Sequence, residues 1–250
     1  IAAALACLVF GVASVASWAL WQFACHVLVA LACWRALGNR GQPVYRLVRE
    51  ELPLGLYFSL PFILRAVRQN ADLLVLSLTA TPEIVASYSV ARRMLESSYL
   101  SVEALNRLVY PGSARATAEG LQHAMPRIRK VLVAATGISI VAAVAVFVLA
   151  PVLPLLFGKD YVSLVSFVRI LCWAVVPLAI WSVAVEALGA SGHQPARAAV
   201  MGIGSVLGAI FAAVATWYAP PTGTFVSFYV IEIAMVVAAW SVLLRIVRQD

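Results

Sequence analysis

Charge is what this sequence has least of. Of its 250 residues only 12% are Asp, Glu, Lys or Arg, and 63% are apolar, where a soluble domain carries about a quarter charged. That excludes an ordinary soluble globule. It also excludes disorder, which needs many charges and few apolar groups. Lysine is nearly missing: 16 of the 18 basic residues are Arg, and only Lys130 and Lys159 are Lys. The four cysteines (Cys7, Cys25, Cys33, Cys172) make no close pair and the three histidines (His26, His123, His193) are scattered. Neither a disulfide framework nor a metal site is suggested, so no metal or cofactor is expected. No nucleophile–histidine set and no paired acids of a glycosyl-transfer kind stand out, so the chain reads as no enzyme. No basic segment precedes the first apolar run, which argues against a signal peptide. Starting at Ile1 inside an uncharged run, the chain reads as a fragment whose first membrane span is cut short.

What is present is long apolar sequence. A helix needs about 20 apolar residues to cross the hydrocarbon core, and eight segments qualify: 1–14, 17–37, 53–79, 83–110, 130–156, 162–189, 197–217 and 224–245. The expected class is an all-α polytopic membrane protein of about eight transmembrane helices. Pro151, Pro154 and Pro177 mark bends, which membrane helices tolerate when neighbours satisfy the freed backbone. Gly204 and Gly208 with Ser205 and Ala209 predict close helix packing.

The bulk charge is +7, and the spans give it an address. Segments 38–52, 111–130, 190–197 and the tail, with Arg35, hold 11 basic residues, against Lys159 alone on the other side. The positive-inside rule places the first set, and both chain ends, in the cytoplasm. The basic excess is therefore a topology signal, and no nucleic-acid partner is expected.

Six arginines and five acids remain inside spans, each costing at least ~2.5 kcal/mol at the bilayer centre. On helical geometry Arg65, Arg68, Gln69 and Asp72 share an arc of about 100° with Pro61. Tyr88, Arg92, Glu96, Tyr99, Glu103, Asn106 and Arg107 share another, flanked by Arg93. The spacing predicts i,i+4 pairs between Arg92 and Glu96 and between Glu103 and Arg107. Two readings compete: ion pairs that fix helix register, or the lining of an aqueous cavity. The surplus of Arg over acid favours a cavity for an anion, because the guanidinium fork grips phosphate oxygens and the tyrosines add faces for sugar. The candidate substrate residues are Arg65, Arg68, Asp72, Tyr88, Arg92, Glu96, Tyr99, Glu103 and Arg107. Asp72, Glu96, Glu103, Glu186 and Glu232 are candidates for coupling to an ion. Arg169 reads as a further cavity residue or a partner for one of these acids, and Trp173 and Trp181 as packing.

From residue 53 onward the sequence resembles the polysaccharide flippases of the MATE-like (MOP) superfamily, the O-antigen or Wzx-type transporters. The likeness lies in NADLLVLS at Asn70–Ser77, ASYSVARRM at Ala86–Met94, YPGS at Tyr110–Ser113, LLFGKDY at Leu155–Tyr161 and EALGASGH at Glu186–His193. The resemblance implies two six-helix lobes around a central cavity. Residues 1–37 would be the last two helices of the first lobe, 38–52 the cytoplasmic inter-lobe linker, and 53–250 the complete second lobe. It implies a protein of the bacterial inner membrane that moves undecaprenyl-pyrophosphate-linked oligosaccharide outward by alternating access. Its partners would be that lipid-linked glycan, membrane lipids, and the polymerase and glycosyltransferases of the same pathway. Alternatives from the same superfamily are a multidrug or cation antiporter, which the Arg surplus disfavours, and a peptidoglycan-precursor flippase. A membrane polysaccharide polymerase or ligase would need a longer outer loop, and a non-transporting scaffold would need fully self-paired stripes.

Overall fold

The computed structural model describes residues 15–37, 51–117, 121–157 and 163–249. They are helical almost throughout and contain no strand. The chain divides into two compact units, 1–48 and 49–250. In the first, α1 covers Val15–Leu37, 23 residues with a single charge, Arg35, in its last turn. At 1.5 Å per residue it is about 34 Å long, enough to cross the hydrocarbon core. The expected span 1–14 and most of the linker 38–52 lie outside the described residues.

The second unit is a bundle. Helix α2 covers Glu51–Thr79, α3 Pro82–Thr117, α4 Leu121–Leu149, α5 Leu153–Phe157, α6 Leu164–Leu171, α7 Val175–Ala190, α8 Gln194–Tyr218 and α9 Thr222–Val247. Helix α3 begins on Pro82 with Glu83 in its first turn: proline is pre-shaped for that position and a carboxylate suits the positive end of the helix dipole. Helix α7 closes where the His193 amide donates to the Leu188 carbonyl at 3.0 Å. Gly192 takes φ +82° in that turn, a left-handed conformation that side chains resist.

Among the described residues five helical stretches are long and apolar enough to cross a membrane: α1, α4 through α5, α6 through α7, α8 and α9. The protein is an all-α polytopic membrane protein. Helices α2 and α3 have the length, at 29 and 36 residues, but their internal charges lower their hydropathy.

Three boundaries differ from the sequence reading. The expected loop 111–130 is mostly helix, because α3 runs on to Thr117 and α4 starts at Leu121. Polar helix can continue past the hydrocarbon edge, where water or headgroups satisfy its side chains, and hydropathy does not register that. The span 162–189 is two helices joined by a 3₁₀ turn at Cys172–Ala174, just ahead of Pro177. Pro177 lacks the N–H that would bond back to the Trp173 carbonyl. A second 3₁₀ turn, Ala150–Val152, holds Pro151 at the end of α4.

The packing follows the arc α2–α8–α9–α7–α3, with α4 behind α7 and α3. Helix α7 is the buried centre, with Trp181, Val183, Ala184 and Leu188 all inside the largest apolar cluster. Gly204 admits the Met235 thioether, and a Cβ at Gly208 would come within 2.9 Å of the Arg68 Cδ and 3.1 Å of the Ile231 Cγ2. The outer faces carry exposed Val133, Val141, Ile203, Leu207 and Ile210, as lipid-facing surfaces do. Consecutive helices α2 and α3 stand at the two ends of the arc and touch sparsely, leaving a cleft between them.

Candidate functional site

The cleft is where both polar stripes meet. Its upper chamber, about 190 Å³, is lined by Arg65, Arg68, Gln69 and Asp72 of α2, Arg92, Glu96, Tyr99 and Glu103 of α3, and Phe228, Ile231 and Glu232 of α9. A lower chamber of about 320 Å³ shares Arg65, Tyr99 and Glu103 with it and adds Phe62, Asn106, Arg107 and Glu186. Seven of the nine residues expected in the cavity therefore line the upper chamber, and Arg107 lines the lower. Tyr88 is fully buried behind the wall.

Within the cleft most charges are already matched. Asp72 accepts from Arg92 Nη1 at 2.7 Å, from the Leu73 amide at 2.8 Å and from the Tyr88 hydroxyl. Arg92 also donates to the Gln69 carbonyl at 3.0 Å and lies 4.7 Å from the Phe228 ring centre. This group pins α3 to α2. Glu232 accepts from Arg68 Nη1 at 2.8 Å and from Trp181 Nε1 at 2.6 Å, which ties α9 to α2 and α7. All four ionic partners are at most 8% exposed. Isolated charges at such depth would be prohibitive, and pairing with added hydrogen bonds is what makes them tolerable. Arg68 fits because Gly208 leaves room for its stem. Its Nε is buried with no partner.

The i,i+4 prediction holds for Glu103 and Arg107, 2.7 Å apart. It fails for Arg92, which pairs with Asp72 across helices, leaving Glu96 to Arg93 at 2.9 Å. A buried interhelical carboxylate outcompetes an exposed neighbour on the same helix, because the low-dielectric pair gains more. Glu186 meets Arg197 at 3.2 Å beside the lower chamber. Arg169 lines neither chamber and pairs with no acid among the described residues: it is exposed and lies 4.9 Å from the Phe147 ring centre.

Arg65 is different. Its guanidinium carbon sits 5.8 Å from the Trp181 ring and 6.0 Å from the Tyr99 ring, at the junction of the two chambers. No carboxylate among the described residues pairs with it. The aromatic faces attract the cation yet leave its donors free. The stripes and Arg93 hold two more arginines than acids; Glu232 of α9 matches Arg68, and the charge that remains is on Arg65, half-buried and midway along α2.

Two contributors went unforeseen. Trp181 is a hydrogen-bond donor to Glu232 as well as packing, and Phe228 lies under Arg92. Neither carries a local signal, since each acts on a residue of another helix. Among the described residues no His, Cys, Asp or Glu grouping suits a metal ion.

Fold and cleft together define a polytopic helical membrane protein with a charged internal cleft. Compared with known protein families, curated proteins and solved structures, the chain has no match.

Proposed function

We propose that residues 53–250 are the second lobe of a lipid-linked oligosaccharide flippase, which exports undecaprenyl-pyrophosphate glycan across the bacterial inner membrane by alternating access. Residues 1–37 would close the first lobe, and the basic loops would hold both chain ends in the cytoplasm. The polymerase and glycosyltransferases of the same pathway would act on either side of this step. The observation that carries the reading is Arg65: a half-buried guanidinium in a cleft, flanked by aromatic rings and without a carboxylate among the described residues. An anionic ligand supplies the missing countercharge, and the planar fork suits phosphate oxygens. Tyr99 and Phe62 offer faces for sugar, while Asn106, Glu103 and Glu186 offer polar groups for hydroxyls. A cation exporter of the same superfamily would want an unpaired carboxylate there, and a scaffold would leave no charge unmatched.

The test is complementation of a strain lacking its own flippase. Arg65→Gln is expected to lower surface polysaccharide at least tenfold at unchanged protein level, Arg65→Lys to retain part of it, and Arg93→Gln on the exposed face to leave it intact. Wild-type polysaccharide with Arg65→Gln would sink the proposal.

A further inference from the structure

We propose that the corner where α4 begins and α9 ends is a binding surface for anionic phospholipid headgroups. Gln122 Nε2 donates to the Val247 carbonyl at 3.0 Å. Leu121, Ala124, Ile128 and Leu243 are buried in one cluster, against which Ile246 and Val247 pack. This seam holds the first turns of α4 beside the last turns of α9. It gathers Arg127, Arg129 and Lys130 with Arg245 and Arg248, all five exposed.

The corner differs from the arginines elsewhere in the bundle that keep an acid beside them. Arg93, Arg107 and Arg197 each pair with a glutamate, whereas none of these five has a carboxylate partner among the described residues. The adjoining sequence supplies two acids, Glu119 and Asp250, against five bases. The surplus charge is open to an outside partner.

Depth and neighbours identify that partner. Lys130 directly precedes the uncharged stretch 131–149 of α4, and Arg245 directly follows the uncharged stretch 233–244 of α9. The five bases therefore sit where hydrocarbon gives way to headgroups. Along the helix axes they spread over about 13 Å, a range that long Lys and Arg stems bridge by snorkelling to one plane. Next to them Val133 and Leu244 are exposed apolar side chains. A ligand that fits both surfaces has a negative head and apolar tails. Basic clusters at a membrane boundary attract anionic lipid by roughly a factor of five per residue. The proposal does not depend on what the cleft transports.

The experiment reconstitutes the full chain in vesicles of phosphatidylcholine and phosphatidylglycerol. Electron spin resonance of a spin-labelled copy of each lipid then reads the fraction held immobile at the protein. The wild-type chain is expected to hold phosphatidylglycerol at least about fivefold more strongly, with the preference fading as salt screens it. Replacing the five bases by Gln is expected to remove most of it. Equal retention of both lipids by the wild-type chain overturns the proposal. So does a preference that persists at high salt, which needs no variant to fold, or one that survives the five substitutions.

Discussion

Removing either member of the Arg68–Glu232 pair leaves a buried charge facing apolar helix. Arg68→Ala and Glu232→Ala are each expected to destabilise by about 3–5 kcal/mol. The double change Arg68→Ala with Glu232→Ala should cost clearly less than the sum, because no charge is stranded. Unfolding titrations in detergent and a double-mutant cycle measure this, and strictly additive losses would mean the pair is not coupled. Burial also separates side chains that one helical arc had grouped. Cysteines placed at 96 and 103 should react readily with a thiol reagent in a cysteine-free background, while those at 68, 72 and 92 should be slow, since these positions are 3–8% exposed. Equal rates would contradict the packing. The arcs were legible from 3.6-residue periodicity, because residue type and spacing alone fix which side chains share a face. The partners were not. Arg92 reaches back 20 residues to Asp72, and Arg68 reaches forward 164 to Glu232. Distances of that kind arise only once helices are packed.

Helix existence was written in the sequence wherever apolar runs were long, and even charged α2 and α3 were legible from their apolar ends. The ends of helices were not, because Thr117 and Leu121 lie in polar sequence where hydropathy has no contrast. The glycine contacts belong to this scale too. A Cβ at Gly223 would be driven into the Ala215 backbone carbonyl, whereas one at Gly204 would meet the movable end of Met235. Gly223→Ala is therefore expected to cost more than Gly204→Ala, by about 1–3 kcal/mol, since backbone cannot swing aside as a thioether can. Thermal unfolding of the two variants in detergent checks the order, and the reverse order would argue against this α8–α9 turn.

The division of the chain at residue 48 predicts that residues 49–250 insert and fold without the segment before them. Expressed alone, that fragment should resist limited proteolysis, with an unfolding temperature within a few degrees of the full chain. Rapid digestion throughout would show that the bundle needs the preceding residues. At this scale the sequence spoke through totals: scarce charge declared the membrane, and the basic excess suggested an orientation. The totals did not reveal how far the cleft neutralises itself, leaving Arg65 as its one arginine without a carboxylate among the described residues. Part of that neutrality is set by a residue with no charge and no side chain. Gly208 stands on α8, a helix whose one charged residue, Arg197, lies near its start, yet its bare Cα gives the Arg68 stem its resting place. A single methyl at Gly208 would act as a lever on a charge it never touches electrostatically, crowding the Arg68 stem and straining its hold on Glu232. The electrostatics of the cleft are thus partly encoded in a neighbouring helix's missing bulk, and a change there would read as a change of charge.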